Sequence, residues 1–156
     1  MLNQMKLKDY LLPEFINMDL KSRDKKAVLE ELAVPLSKYS GIENNDLVKI
    51  LLERERLGST GIGKGIAIPH GKVAGLEKLM IGFGLSQNGV SFESIDDKPA
   101  FIFFTIVTPE DSSGDHLKVL AKISSILRDS SIRKQIKTAS TSEEILDLID
   151  ENDPND

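Results

Sequence analysis

At 156 residues with a net charge of -5, the chain has the length of one self-sufficient domain and lacks the basic balance expected of a nucleic-acid surface. It contains no cysteine, which excludes thiol catalysis, disulfides and cysteine metal sites and fits a cytoplasmic protein. No run approaches the ~18 apolar residues of a membrane span, and the opening Met-Leu-Asn-Gln-Met-Lys has no apolar core of the kind a signal peptide needs.

Taken in order, Phe15 to Leu20 predicts a strand. Ser22 then caps a helix carrying Val28, Leu29, Leu32 and Leu36 at helical spacing; Gly41 closes it, and Pro35 breaks or kinks its last turn. A second helix starts at Asn45 or Asp46 with the apolar stripe Leu47, Ile50, Leu51 and Leu57. At about 100° per residue, Arg54 falls within that stripe and Arg56 opposite to it. A guanidinium on a core-facing stripe needs a carboxylate, carbonyls or an anion to face, or else its stem lies over the core and its head reaches water.

Residues 58–71 read Gly-Ser-Thr-Gly-Ile-Gly-Lys-Gly-Ile-Ala-Ile-Pro-His-Gly, four glycines ahead of one of only two histidines and a fifth directly after it. Gly58 to Lys64 fits most of the P-loop pattern, but Gly65 stands where Ser or Thr would hold magnesium. The flanking helix and strand are also in the wrong order for a P-loop, which is therefore rejected. Ile66 to Ile68 predicts a short buried strand, Pro69 restricts the backbone, and His70 is held at a strand end as a candidate nucleophile. Glycines at 58, 61, 63 and 65 remove side chains where amides could approach a ligand.

Further on, Met80 to Leu85 alternates as a strand and Gln87-Asn-Gly89 reads as a turn. Phe101 to Val107 is a continuous apolar run expected in mid-sheet, with Phe101, Phe103 and Phe104 in the core. Asp115 or Ser113 caps a helix from near His116, in which His116, Leu120, Ile123 and Leu127 share an inward face. Taken alone, His116 fits a core histidine bonded to a carbonyl as well as a functional one. Two helices, Ser131 to Ala139 and Ser142 to Ile149, complete the chain, with Asn152 to Asp156 expected to fray. The whole, residues 1–156, is expected to be one α/β domain with a mixed central sheet of about five strands flanked by helices.

From Leu52 to Lys72 the sequence resembles, almost without a break, the active-site signature of the type-2 enzyme IIA domains of the phosphoenolpyruvate-dependent sugar phosphotransferase system, the fructose, mannitol and nitrogen-regulatory group. The likeness continues through Phe92 to Asp96, the Val-Thr-Pro-Glu strand end and His116-Leu-Lys-Val-Leu. The resemblance implies that His70 takes a phosphoryl group from an HPr-like phosphocarrier. It also implies that Arg54, sixteen positions earlier, and His116 stand beside it. Ser59, Thr60, Gly61, Ile62 and Gly63 would offer amides to the phosphate, although the hydroxyls of Ser59 and Thr60 could equally stabilise the turn. Lys64 is read as a solvated loop lysine.

No metal or other cofactor is expected, because phosphohistidine and phosphocysteine partners bring no polyphosphate to neutralise. The acceptor would be a cysteine on a separate EIIB chain, in sugar uptake, or the phosphorylation state would control binding to a regulatory protein. Any association with a membrane permease would be peripheral. Two successive protein partners imply a shallow apolar rim around His70.

Overall fold

The structure is a computed structural model that describes residues 5–112 and 114–155. Six strands form a mixed sheet in the order β1-β5-β6-β3-β2, with β4 also paired to β6. They are β1 (Ile16–Asn17), β2 (Gly61–Gly63), β3 (Ile66–Ala67), β4 (His70–Val73), β5 (Met80–Val90) and β6 (Ala100–Pro109). The strand count exceeds five because β3 and β4 share one flank of β6. Ile66 pairs with Ile102 and His70 with Ile106, so the two short strands keep one parallel register across Ile68 and Pro69. Proline has no N–H to give the ladder, and its carbonyl still accepts from Ile106 N at 2.9 Å.

As expected, β6 lies mid-sheet, antiparallel to β5 on its other side. Phe103 and Phe104 are fully buried and make edge contacts with Phe92 and Phe83. Phe101 departs from the expectation: it is only half-buried and carries Lys137 Nζ 4.2 Å above its ring. The predicted turn at Gln87 to Gly89 is instead a bulge inside β5. The register shifts between Leu85 and Val90, Gly89 takes φ 87°, and Ser86 Oγ accepts Gly89 N at 2.9 Å. The predicted strand at Phe15 to Leu20 shrinks to β1, because Pro13 opens a 3-10 turn through Phe15 and Asn17 Oδ1 accepts Asp19 N to turn the chain away.

The helices are α1 (Lys25–Ser40), α2 (Asn44–Arg56), α3 (Asp115–Leu127), α4 (Ser130–Thr138) and α5 (Ser142–Asn152). Asp24, not Ser22, caps α1 by accepting Ala27 N at 2.9 Å. The Ser22 hydroxyl is spent on Glu31 Oε1 at 2.7 Å. Helix α1 runs through Pro35 and ends where Gly41 turns left-handed at φ 79°; packing against β5 and α2 outweighs the one backbone bond proline removes. At α3 the cap is Gly114, without a side-chain bond, and Asp115 is already helical. The alternative cap, Ser113, lies outside the described residues.

The expected fraying of the tail fails at Asp153. Its carboxylate, 1% exposed, accepts Leu7 N at 2.8 Å and pairs with Lys122 Nζ at 3.0 Å, tying the two ends of the chain to α3. Helices α1 and α2 cover the sheet face of Gly71, Gly82 and Gly84; a Cβ at Gly71 would run into Ile50 and one at Gly84 into Leu32. Helix α3 packs on β6, and residues of α2, β4, β6 and α3 line one cavity. Among the described residues no helix is long and apolar enough to cross a membrane.

Candidate active site

Two backbone devices deliver the two central side chains. Helix α2 ends in a turn closed by Leu57 N on Arg54 O and Gly58 N on Glu55 O. Gly58 lies at φ 145°, beyond the ordinary reach of a side-chain-bearing residue. The Gly58 carbonyl folds back to accept Arg54 Nη1 at 3.0 Å, which holds the guanidinium over the helix end. Across the gap, His70 opens β4, and its Nδ1 lies 2.8 Å from the Ile68 carbonyl on the far side of Pro69. A carbonyl can only accept, so this contact assigns the ring proton to Nδ1 and leaves the lone pair on Nε2. Arg54 Nε donates to that nitrogen at 3.3 Å.

The same surroundings keep the ring uncharged. Burial is the main force lowering the His70 pKa below the ordinary 6.5, with the Arg54 guanidinium and His116 adding to it and the Ile68 carbonyl and Glu55 opposing it. The imidazole is thus a neutral base with one directed lone pair.

His116, in the first turn of α3, lines the same cavity as Arg54 and His70, so the structure brings together all three side chains singled out by the sequence. The cavity holds about 540 Å³, larger than the shallow rim expected, because α2 and α3 stand apart on either side of β4. Its walls include Ile50, Ile106 and Leu120, with Glu53 and Lys72 as charged members. Leu57, expected in the core stripe, is instead 84% exposed at the mouth, opposite Leu117 at 59%. The apolar rim is present; the cavity beneath it is the correction.

Ser59 to Gly63 are not brought to that cavity. Thr60 N donates to Glu55 Oε1 at 3.0 Å, the Thr60 hydroxyl donates to Glu55 Oε2, and Gly61 N donates to Ser59 Oγ at 3.0 Å. Gly61 to Gly63 forms β2, antiparallel to β3, while Ile62 projects outward at 43% exposure. Internal acceptors already occupy the Thr60 and Gly61 amides, so these two are not free to face an anion in this arrangement. Gly61 is needed for a close approach: a Cβ there would sit 2.9 Å from Ser94 Cα. Lys64 is exposed at φ 58° and donates its backbone N–H to Asp96 Oδ2 at 3.2 Å, which makes it a turn residue.

Two residues escaped the sequence reading. Glu55 is 7% exposed, accepts both Thr60 donors and pairs with Lys25 Nζ at 3.0 Å. Its signal was legible, since it follows Val48 and Leu51 at helical spacing on the buried side of α2. Thr108, 1% exposed, lines the cavity from β6; it directly follows the apolar run and enters the sequence reading only as part of the Val-Thr-Pro-Glu strand end. Among the described residues there is no cluster of three or more His, Cys, Asp or Glu side chains able to hold a metal ion.

Comparison with known proteins agrees with this geometry. A nitrogen regulatory protein of Bradyrhizobium diazoefficiens is 37% identical over 145 residues, covering 93% of this chain and 95% of its own length. The fructose-specific EIIABC component of Bacillus subtilis is 37% identical over 150 residues, which span 96% of this chain and 24% of that protein. The crystal structure of nitrogen regulatory protein IIA-Ntr from Neisseria meningitidis superposes with a TM-score of 0.86 at 35% identity, covering 90% of this chain and 97% of the other. The family model described as phosphoenolpyruvate-dependent sugar phosphotransferase system, EIIA 2, matches residues 9–152. The chain belongs to that EIIA type-2 family, whose proteins act in phosphoryl transfer.

Proposed function

We propose that the chain is a phosphocarrier in which His70 Nε2 accepts a phosphoryl group from an HPr-like donor and passes it to a second protein. The observation that carries this reading is the bonding of one ring: Nδ1–H is committed to the Ile68 carbonyl, and the Nε2 lone pair faces an open cavity beside Arg54. In the transfer, the bond from phosphorus to the donor nitrogen breaks as the bond to Nε2 forms. His70 loses no proton, so no general base is required. Positive charge grows on the ring while the Ile68 carbonyl faces its N–H, and the Arg54 guanidinium follows the phosphoryl oxygens to offset their charge. His116 supplies a further donor from α3.

Ser59 to Gly63 support this work at a distance, by fixing the hairpin beside α2. The acceptor in sugar uptake is a cysteine of a separate EIIB chain, with the protein cytoplasmic and at most peripheral to a permease. A second reading, control of regulatory partners by phosphorylation state, is favoured by the full-length match to a nitrogen regulatory protein. Incubation with phosphorylated HPr and purified EIIB candidates tests both readings. Label should enter the wild-type chain, be absent from His70→Ala, and move onward to EIIB if transport is the role. Acid-labile label retained on His116 in His70→Ala would overturn the assignment.

A further inference from the structure

The cavity wall holds an unmatched pair. Thr108 Oγ1 and His116 Nδ1 are both sealed from solvent and have no hydrogen-bond partner among the described residues. Both residues line the His70 cavity, one from β6 and one from the first turn of α3. Because neither atom is reached by water, each can be satisfied only by another protein group, and one is an O–H donor where the other is a ring nitrogen that can accept. Thr105, whose hydroxyl is also without a partner, offers no alternative: it lies on the opposite face of β6, against Gly82, and is not in the cavity wall. Thr108 pairs with Lys72 and shares the face of Ile106, the residue paired with His70.

We propose that Thr108 is a positioning residue that sets the tautomer of His116. The Thr108 hydroxyl donates to Nδ1, which places the ring proton on Nε2. Nε2 is not among the buried atoms without a partner, and His116 lines the cavity. His116 then presents an N–H, and not a lone pair, towards a phosphoryl group on His70. This role rests on the phosphocarrier reading, because the donor has a purpose only if an anion enters the cavity. The wrong tautomer would instead oppose a lone pair to phosphoryl oxygen.

The test is long-range proton–nitrogen correlation NMR of the His116 ring in the full chain. It compares wild type, Thr108→Val and Thr108→Ser, each free and under continuous phosphorylation by a donor system. The Nε2–H tautomer should dominate in wild type and Thr108→Ser, and give way to a mixture or to Nδ1–H in Thr108→Val. Phosphoryl uptake by Thr108→Val should fall about tenfold, the scale of one lost hydrogen bond, and recover in Thr108→Ser. An unchanged His116 tautomer in Thr108→Val, in both conditions, overturns the proposal whatever the uptake rate. If no variant or wild type takes phosphate, the phosphocarrier reading fails, and the spectra of the free proteins still decide the role of Thr108.

Discussion

Arg54 and Glu55 are neighbours on one helix, yet the two regions they serve are built on opposite terms. Successive helical residues diverge by about 100°, so Arg54 reaches the open cavity while Glu55 turns into the protein. Around Glu55 the polar groups are matched: Thr60 N, the Thr60 hydroxyl and Lys25 Nζ all converge on one buried carboxylate. Around Arg54 they are not. His70 Nε2 has a single long contact at 3.3 Å, and Thr108 Oγ1 and His116 Nδ1 have no partner among the described residues. The matched region holds the frame, and the unmatched one leaves hydrogen-bonding capacity unspent among the described residues.

The comparison can be broken at either residue. Removing the matched carboxylate with Glu55→Ala leaves both Thr60 donors without their acceptor and Lys25 with only the longer pair to Glu93 at 3.9 Å, and should cost ~3 kcal/mol of stability. Urea unfolding measures this, and a loss near zero would show that the hairpin does not depend on the network. Arg54→Ala should do the converse. It leaves urea stability close to wild type but slows phosphoryl uptake about a hundredfold, as removal of one preorganised donor does. A stability loss equal to that of Glu55→Ala would erase the contrast between the two regions.

The smallest effect is on pH. The folded-state pKa of His70 is depressed, chiefly by burial, whereas the unfolded chain titrates at the ordinary 6.5. Below 6.5 the unfolded chain therefore binds the extra proton first, and stability is lost as pH falls from 6.5 towards the lower folded pKa; above 6.5 both states are neutral and the contribution is flat. Lowering the pH from about 7 to about 5.5 should destabilise wild type slightly more than His70→Gln. Equal slopes in urea titrations would mean that the ring is not held neutral.

Local pattern carried the reading furthest where one residue type has one use. The mid-sheet position of β6 follows from an uninterrupted apolar run, and the strand-end placement of His70 from the proline before it. Gly41 closes α1 because a left-handed cap there suits glycine. Reading failed where several partners compete for a group. Asp24 displaced Ser22 as a cap because Glu31 claims the serine hydroxyl, and the bulge at Gly89 took the place of a turn because Ser86 satisfies its amide. The glycine loop shows the same limit. Its glycines were read as access for a ligand, and at Gly61 the open space admits Ser94 instead.

By itself, then, the order of residues determined which side chains can do chemistry: an arginine on a helical stripe, a histidine behind a proline, a second histidine in a first turn. Those are properties of spacing and backbone restriction within a few residues. Only tertiary structure decided their bonding. The commitment of Nδ1 to Ile68, the approach of Arg54 to Nε2 and the capture of the Thr60 amide by Glu55 each depend on which donors and acceptors meet when distant segments pack. A hydrogen bond is fixed by tenths of an ångström and by the absence of competing water, and neither exists until the chain has folded.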